Sequence, residues 1–475
     1  MAAPRSWRLV RLRRKIAHRR ITEPEAGRSM THGVHQRISV RPCPTARDVA
    51  AQIRRGETSA RAVIDAAIER VQANEETLGA FAHFEPALVR AASDSCDRAG
   101  PHGLLAGVPI GVKDIMDTRD MPTAHGCRHL TARQPQADAT VVARLRRAGA
   151  IVLGKTTTTE CAYFTPAKTR NPHDLERTPG GSSSGSAAAV AAGMVPIALG
   201  TQTSGSIIRP AAFCGVWGVK PSFGLVPRTG VLMLSHTLDH VGALGGTIED
   251  VARTIDVMSG DDGIDPACFL QRPTRLEAAL DLPIERPRLG FARSFAWPEM
   301  EPGAAKRFEE LATSLGATEI EMGPLFSDSA AVHRAIMARE MAHHLWPIYR
   351  EGGELVSEPL RAFLVEGRSV DAEHYLEALD RRARMRAEAD RLFAPFDAVL
   401  TPAAPGEAPL GVGFTGSRMF CFLWTFLGVP AVNAPGLKGD AGLPLGVQIV
   451  GRFGSDAETL RAAAWVGRTI APSTP

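Results

Sequence analysis

Two glycine- and serine-rich segments lie close together in this chain, GGSSSGSAAAVAAG from Gly180 to Gly193 and GTQTSGSIIRPAAFCG from Gly200 to Gly215, with Lys113 upstream in GVPIGVKDI. Serines in tight turns can serve as nucleophiles and proton carriers. A lysine in an apolar stretch can serve as a base, because burial disfavours the ammonium form and frees the amine. Together these parts could split an amide bond without a histidine, a metal or a cofactor. The alanine-rich run after Ser186 reads as a buried helix, so the first turn would aim backbone N–H groups at a bound group. The second, through Thr203, Ser204, Gly205 and Ser206, is small enough to present several amides to one oxygen, which is what an oxyanion pocket requires.

Each of these features has a plainer reading. Gly/Ser runs are usually flexible linkers, but here core-like sequence flanks the run directly. Lys113 alone reads at least as well as a solvated lysine at a strand end; its setting between Val108-Pro109-Ile110 and Ile115 favours burial. Asp114 reads as a local hydrogen-bonding residue. GAIVLGKT from Gly149 to Thr156 matches a phosphate-binding loop in letters only. That loop needs a strand before its first glycine, whereas here Ala-Ile-Val-Leu between the glycines is itself the strand. Lys155 then reads as a strand-end lysine. His125, His129, His236 and His240 lack metal-ligand spacing and read as surface or structural residues. Glu160-Cys161 carries no activating context for a cysteine nucleophile.

The elements that must position these residues alternate between strand and helix. Thr45 to about Gln72 has helical spacing broken at Gly56, with Thr58 or Ser59 capping the second helix. Strands are expected at Val108–Val112, Ala150–Leu153, Val195–Leu199, near Leu289, at Ala317–Ile320, after Asp397 and in LPLGVQIVG. Helices are expected at Ala139–Ala148, Ser186–Ala192, Pro302–Leu315 and, after a capping serine, from Ser455 to Thr469. Charged helical sequence runs from Ser329 to about Arg391, and Asp261–Pro287 reads as a long surface loop. The order implies an α/β fold with a parallel or mixed sheet.

Composition bounds the rest. The chain has 475 residues, is 44% hydrophobic and carries a net charge of +4, enough for a large core and without the general excess of charge that nucleic-acid or membrane binding calls for. The charge is uneven: residues 1 to 29 hold nine Arg and Lys against two glutamates. This head reads as a disordered or non-native extension over residues 1–40, a targeting peptide or an interaction arm, before a single domain over residues 41–475. The seven cysteines are scattered and show no CxxC pair, which argues against a disulfide framework or zinc site and for a reducing, cytoplasmic setting. No run approaches the roughly 18 apolar residues of a membrane span.

From about Thr45 to the C-terminal helix the chain resembles the amidase signature family. The resemblance rests on the block from Gly180 to Pro221, supported by GVPIGVKDI, AGAIVLGKTTTTECA, GVKPSFGLVPRTGV, GVPAVNAPG and LPLGVQIVGRFGSDAETL. It implies the family's fold, a central mixed β-sheet covered by helices on both faces. It implies Ser206 as nucleophile, Ser182 as bridging serine on a cis peptide and Lys113 as base, with Thr203, Ser204 and Gly205 holding the oxyanion. It further implies a small-molecule amide substrate, no metal and no cofactor, with a homodimer left open. An alternative within the family is the glutamine-hydrolysing subunit of a tRNA-dependent amidotransferase. The chain departs from the family at Gln202, where an aspartate is common, at Ser204, where a glycine is common, and at Ile208, where an arginine is usual. The last departure, with Arg209 following, resembles the malonamidase-like branch, in which such an arginine reads a substrate carboxylate. Bracing of the turn is the competing role for Arg209.

Overall fold

Gly56 does break the first helical stretch. In the computed structural model, helix Ala46–Arg54 is capped by the Thr45 hydroxyl and helix Ala60–Leu78 by the Ser59 hydroxyl, each accepting one of the amides a helix start leaves unpaired. The structure describes residues 37–38, 43–163, 165–268, 273–283 and 286–471. Two units are distinguished, Met1–His35 and Gln36–Pro475. The expected extension over residues 1–40 lies outside the described residues except for Arg37 and Ile38, and all elements named below belong to the second unit.

Its centre is an 11-stranded mixed sheet. The strands are β1 (Phe81–His83), β2 (Pro109–Lys113), β3 (Ile151–Thr156), β4 (Ile197–Gln202), β5 (Trp217–Lys220), β6 (His240–Gly245), β7 (Leu289–Ala292), β8 (Thr318–Ile320), β9 (Ala398–Pro402), β10 (Ala431–Ala434) and β11 (Val447–Val450). They lie in the order β1-β3-β2-β4-β6-β5-β10-β11-β9-β7-β8. β2 runs parallel to both neighbours, β3 and β4, and β7 runs parallel to β8 and β9. The pairs between β4 and β9 are antiparallel. Every residue of β2, β3, β4, β6, β9, β10 and β11 is buried. Successive strand residues point to opposite faces, so both faces of the sheet are covered.

The expected strands are present, four were not expected (β1, β5, β6 and β10), and β3 runs on through Lys155 to Thr156. The stretch from Ser329 resolves into three helices, Ser329–Gly352, Glu358–Ser369 and Ala372–Phe393. The expected loop before Pro287 contains a short helix, Leu276–Leu280. The final helix, Asp456–Ile470, starts after Ser455 as expected, but the Ser455 side chain makes no capping bond; its hydroxyl donates to Arg452 O. No helix among the described residues is long and apolar enough to cross a membrane.

Candidate active site

β2 and β4 end side by side, and their last residues carry the site. Lys113 closes β2 and is wholly buried. Its Nζ donates to Ser182 Oγ and to Thr201 Oγ1, each at 2.8 Å. Thr201 is the penultimate residue of β4. Burial drives the Lys113 pKa well below the ordinary lysine range, against the opposing pull of the Asp239 carboxylate. The solvated strand-end alternative is thereby removed.

Ser182 sits in the turn before helix Ser184–Ala191, and the Gly181–Ser182 peptide is cis, as the resemblance implies. The turn needs its glycines. Gly180 has φ +82°, and a Cβ there would lie 2.9 Å from Pro210 Cα. Neighbouring serines fasten the turn rather than extend it. Ser184 Oγ donates to Gly180 O at 2.7 Å and Ser186 Oγ to Leu199 O at 2.7 Å.

The second turn leaves β4 and enters helix Ile208–Cys214. The two turns touch: the Ser183 amide donates to Ser206 O at 3.2 Å. Gln202, the departure from the common aspartate, is the hub of this turn. Its Oε1 accepts the amides of Ile207 and Ile208 at 2.8 and 2.9 Å, and its Nε2 donates to Thr425 Oγ1 at 2.8 Å. Thr425 Oγ1 in turn donates to Ser204 O at 2.6 Å. A neutral amide thus holds the helix start, and the turn from Thr203 to Ser206 is fixed from behind. Thr203 Oγ1 donates to Asp239 at 2.6 Å, and the same carboxylate accepts the amides of Leu234 and Ser235. Ser204 Oγ lies 3.3 Å from His333 Nε2, which also contacts Thr203 O at 3.2 Å. Burial, followed by the nearby Arg418, lowers the His333 pKa to about 3, so this histidine is neutral and structural at physiological pH.

Ser182, Thr203, Ser204, Ser206 and Arg209 line one narrow cavity with Ala162, Tyr163, Met337, Thr415 and Arg418. Its volume is about 20 Å³, room for little more than one water molecule. Gly205 lies behind the lining, where a Cβ would come within 3.0 Å of Cys421 Cβ. Arg209 is buried. Its Nη1 donates to Gly416 O at 2.9 Å, and its Nη2 donates to Gly181 O at 2.6 Å and Thr415 Oγ1 at 3.3 Å. These contacts are those of the bracing role. Tyr163, Met337, Thr415 and Arg418 were not expected at the site; they come from distant segments and carry no local signal in the sequence.

The residues set aside in the sequence lie elsewhere. Lys155 is buried in β3, with Asp114 Oδ1 at 3.2 Å and Thr123 Oγ1 at 2.5 Å, so it is one half of a buried ion pair and not a phosphate ligand. Asp114 also accepts the Ala124 amide, the local role expected of it. None of His125, His129, His236 and His240 lines the cavity.

The arrangement brings together at one cavity the hydroxyl of Ser206, that of Ser182 bonded to a buried lysine, and a turn of amides at a helix entrance. Known proteins are similar to this chain over most of its length. The family model described as Amidase matches residues 62–460. A glutamyl-tRNA(Gln) amidotransferase subunit of Thermus thermophilus is 36% identical over 459 residues, covering 88% of this chain and 95% of that protein. AtzE of Pseudomonas sp. (strain ADP), a subunit of 1-carboxybiuret hydrolase, is 35% identical over 433 residues, covering 86% and 94%. The X-ray structure of native peptide amidase from Stenotrophomonas maltophilia superposes with a TM-score of 0.78 at 27% identity, covering 91% of this chain and 98% of that one.

Proposed function

The chain belongs to the amidase family, and from that premise we propose that it hydrolyses a small-molecule carboxylic amide through an acyl-enzyme formed on Ser206. The observation that carries this reading is the buried 2.8 Å contact between Lys113 Nζ and Ser182 Oγ beside a cavity onto which both serines open. A neutral amine has two N–H groups and one lone pair. With an N–H directed at Thr201 Oγ1, the lone pair is available to the Ser182 proton.

The steps then balance without an outside reagent. Lys113 takes the Ser182 Oγ proton while Ser182 Oγ takes that of Ser206. Ser206 Oγ adds to the amide carbonyl, and the N–H groups of Thr203, Ser204, Gly205 and Ser206 hold the developing oxyanion, each such donor being worth about 3 kcal/mol. The carbon–nitrogen bond breaks as the proton returns through Ser182 to the departing nitrogen. Water gives up a proton to the same relay, cleaves the ester and frees Ser206.

Intact-protein mass spectrometry after incubation with a fluorophosphonate tests this. One adduct on the wild type, absent from Ser206→Ala, supports the activated serine; equal labelling of both removes it. A second reading, a glutamine-hydrolysing subunit that passes ammonia to a partner, draws on the likeness to the Thermus amidotransferase protein. Glutamine dependence and co-purification with a second chain would favour it.

A further inference from the structure

Arg418 stands against the turn that carries Ser206. A Cβ placed on Gly205 would lie 3.7 Å from Arg418 Cβ, and Arg418 lines the same cavity as Ser182, Ser206 and Arg209. Its carbonyl accepts the amides of Cys421 and Phe422 at 3.0 and 3.1 Å, so its backbone is pinned at the start of helix Phe422–Leu427.

Two arginines thus line one cavity. Arg209 directs its terminal nitrogens at Gly416 O, Gly181 O and Thr415 Oγ1. Burial is the first cause that lowers the pKa of both arginines; Arg418 adds to it at Arg209, and Arg334 at Arg418. Asp239, the carboxylate felt by Lys113, is engaged by Thr203, Leu234 and Ser235. An amide reaching Ser206 therefore meets a positive field from two arginines. A carboxylate or similar anion gains from that field. A substrate ammonium is repelled by it.

We propose that Arg418 determines specificity at this site, selecting amides that bear an anionic group and no ammonium and rejecting free amino-acid amides such as L-glutamine. Arg209 serves as the brace. The proposal deepens the amidase reading and rests on Ser206 as nucleophile.

Three amides of equal carbon chain separate the terms: glutaramate has the carboxylate, pentanamide lacks it, and L-glutamine adds the α-ammonium. Ammonia release from each is measured with wild type, Arg418→Gln, Arg418→Asp and Ser206→Ala. The expected result is a wild-type order of glutaramate over pentanamide over L-glutamine in kcat/KM. The glutaramate-to-pentanamide ratio should fall about ten- to a hundredfold in Arg418→Gln, the range of a charged hydrogen bond. The L-glutamine-to-glutaramate ratio should rise in Arg418→Asp. Ratios on one preparation are insensitive to the fraction of the variant that folds. Wild-type preference for L-glutamine, no turnover of glutaramate, or an unchanged glutaramate-to-pentanamide ratio in Arg418→Gln overturns the proposal. Ammonia release undiminished in Ser206→Ala is a separate failure, that of the nucleophile.

Discussion

The amide of Ser183 donates to the carbonyl of Ser206 at 3.2 Å, so the two serine-bearing turns are joined through their backbones as well as across the cavity. A displacement of either turn is felt by the other. The proposed relay from Lys113 through Ser182 to Ser206 is therefore expected to fail as one unit.

Lys113→Ala should lower kcat/KM by about 10³-fold or more, in the upper range for loss of a positioned base, with circular dichroism unchanged. Lys113→Arg should not restore it, since a guanidinium does not give up its proton at physiological pH. Near wild-type rates in either variant would remove the lysine from the mechanism.

The pH profile follows from the same residue. Burial lowers the Lys113 pKa, and the proposed relay requires the deprotonated amine. Activity should therefore fall as pH falls through that depressed pKa and hold steady above it. A kcat/KM that rises on acidification contradicts the assignment.

Arg209→Ala should depress turnover of charged and neutral amides alike, because it removes the donors to Gly181 O and Gly416 O and loosens the residue preceding Ser182. Arg209→Lys should recover little, one ammonium being a poor substitute for a planar fork. A loss confined to carboxylate-bearing amides would restore the substrate-reading role.

Gln202→Leu leaves the amides of Ile207 and Ile208 without their acceptor. The expected cost is about 1–3 kcal/mol of stability and a fall in kcat larger than any change in KM, since the turn that shapes the oxyanion pocket is loosened. Urea denaturation and steady-state kinetics on one preparation read both effects. A stability unchanged from wild type would mean that water replaces the lost acceptor.

Asp114→Asn breaks a buried pair with Lys155 (3.2 Å). Stability should drop by about 3 kcal/mol or more, because the ammonium is left in a dry environment without its counter-charge. An unchanged melting temperature would show that Thr123 and Pro122 suffice.

The lysine and serines that the structure brings together were legible because their identities are constrained in short stretches: glycines where the turns double back, serines beside them, a lysine at the end of an apolar run. The long strands were legible as unbroken apolar segments. β6 was not, because its glycines dilute the apolar signal; yet Gly242 is required there, a Cβ at that position falling 2.1 Å from Val219 O. β1, β5 and β10, three or four residues each, were missed as well, although β7, β8 and β11 of the same length were read. Tyr163, Met337 and Arg418 escaped notice for a different reason. They reach the cavity from separate segments, and nothing local marks an arginine in SRMF or a methionine in a charged helix as lining. Arg209 was seen, but its partners, Gly181 O and Gly416 O, are set only by the tertiary structure.

The proposed relay draws Lys113 from the end of β2 and its two serines from turns before and after β4, whereas two parts of the cavity wall, Met337 and Arg418, come from far along the chain. On the proposed reading, bond-breaking and substrate choice are written in different stretches of sequence. On that reading, changes at Met337 or Arg418 should alter what is admitted while Lys113, Ser182 and Ser206 keep their contacts.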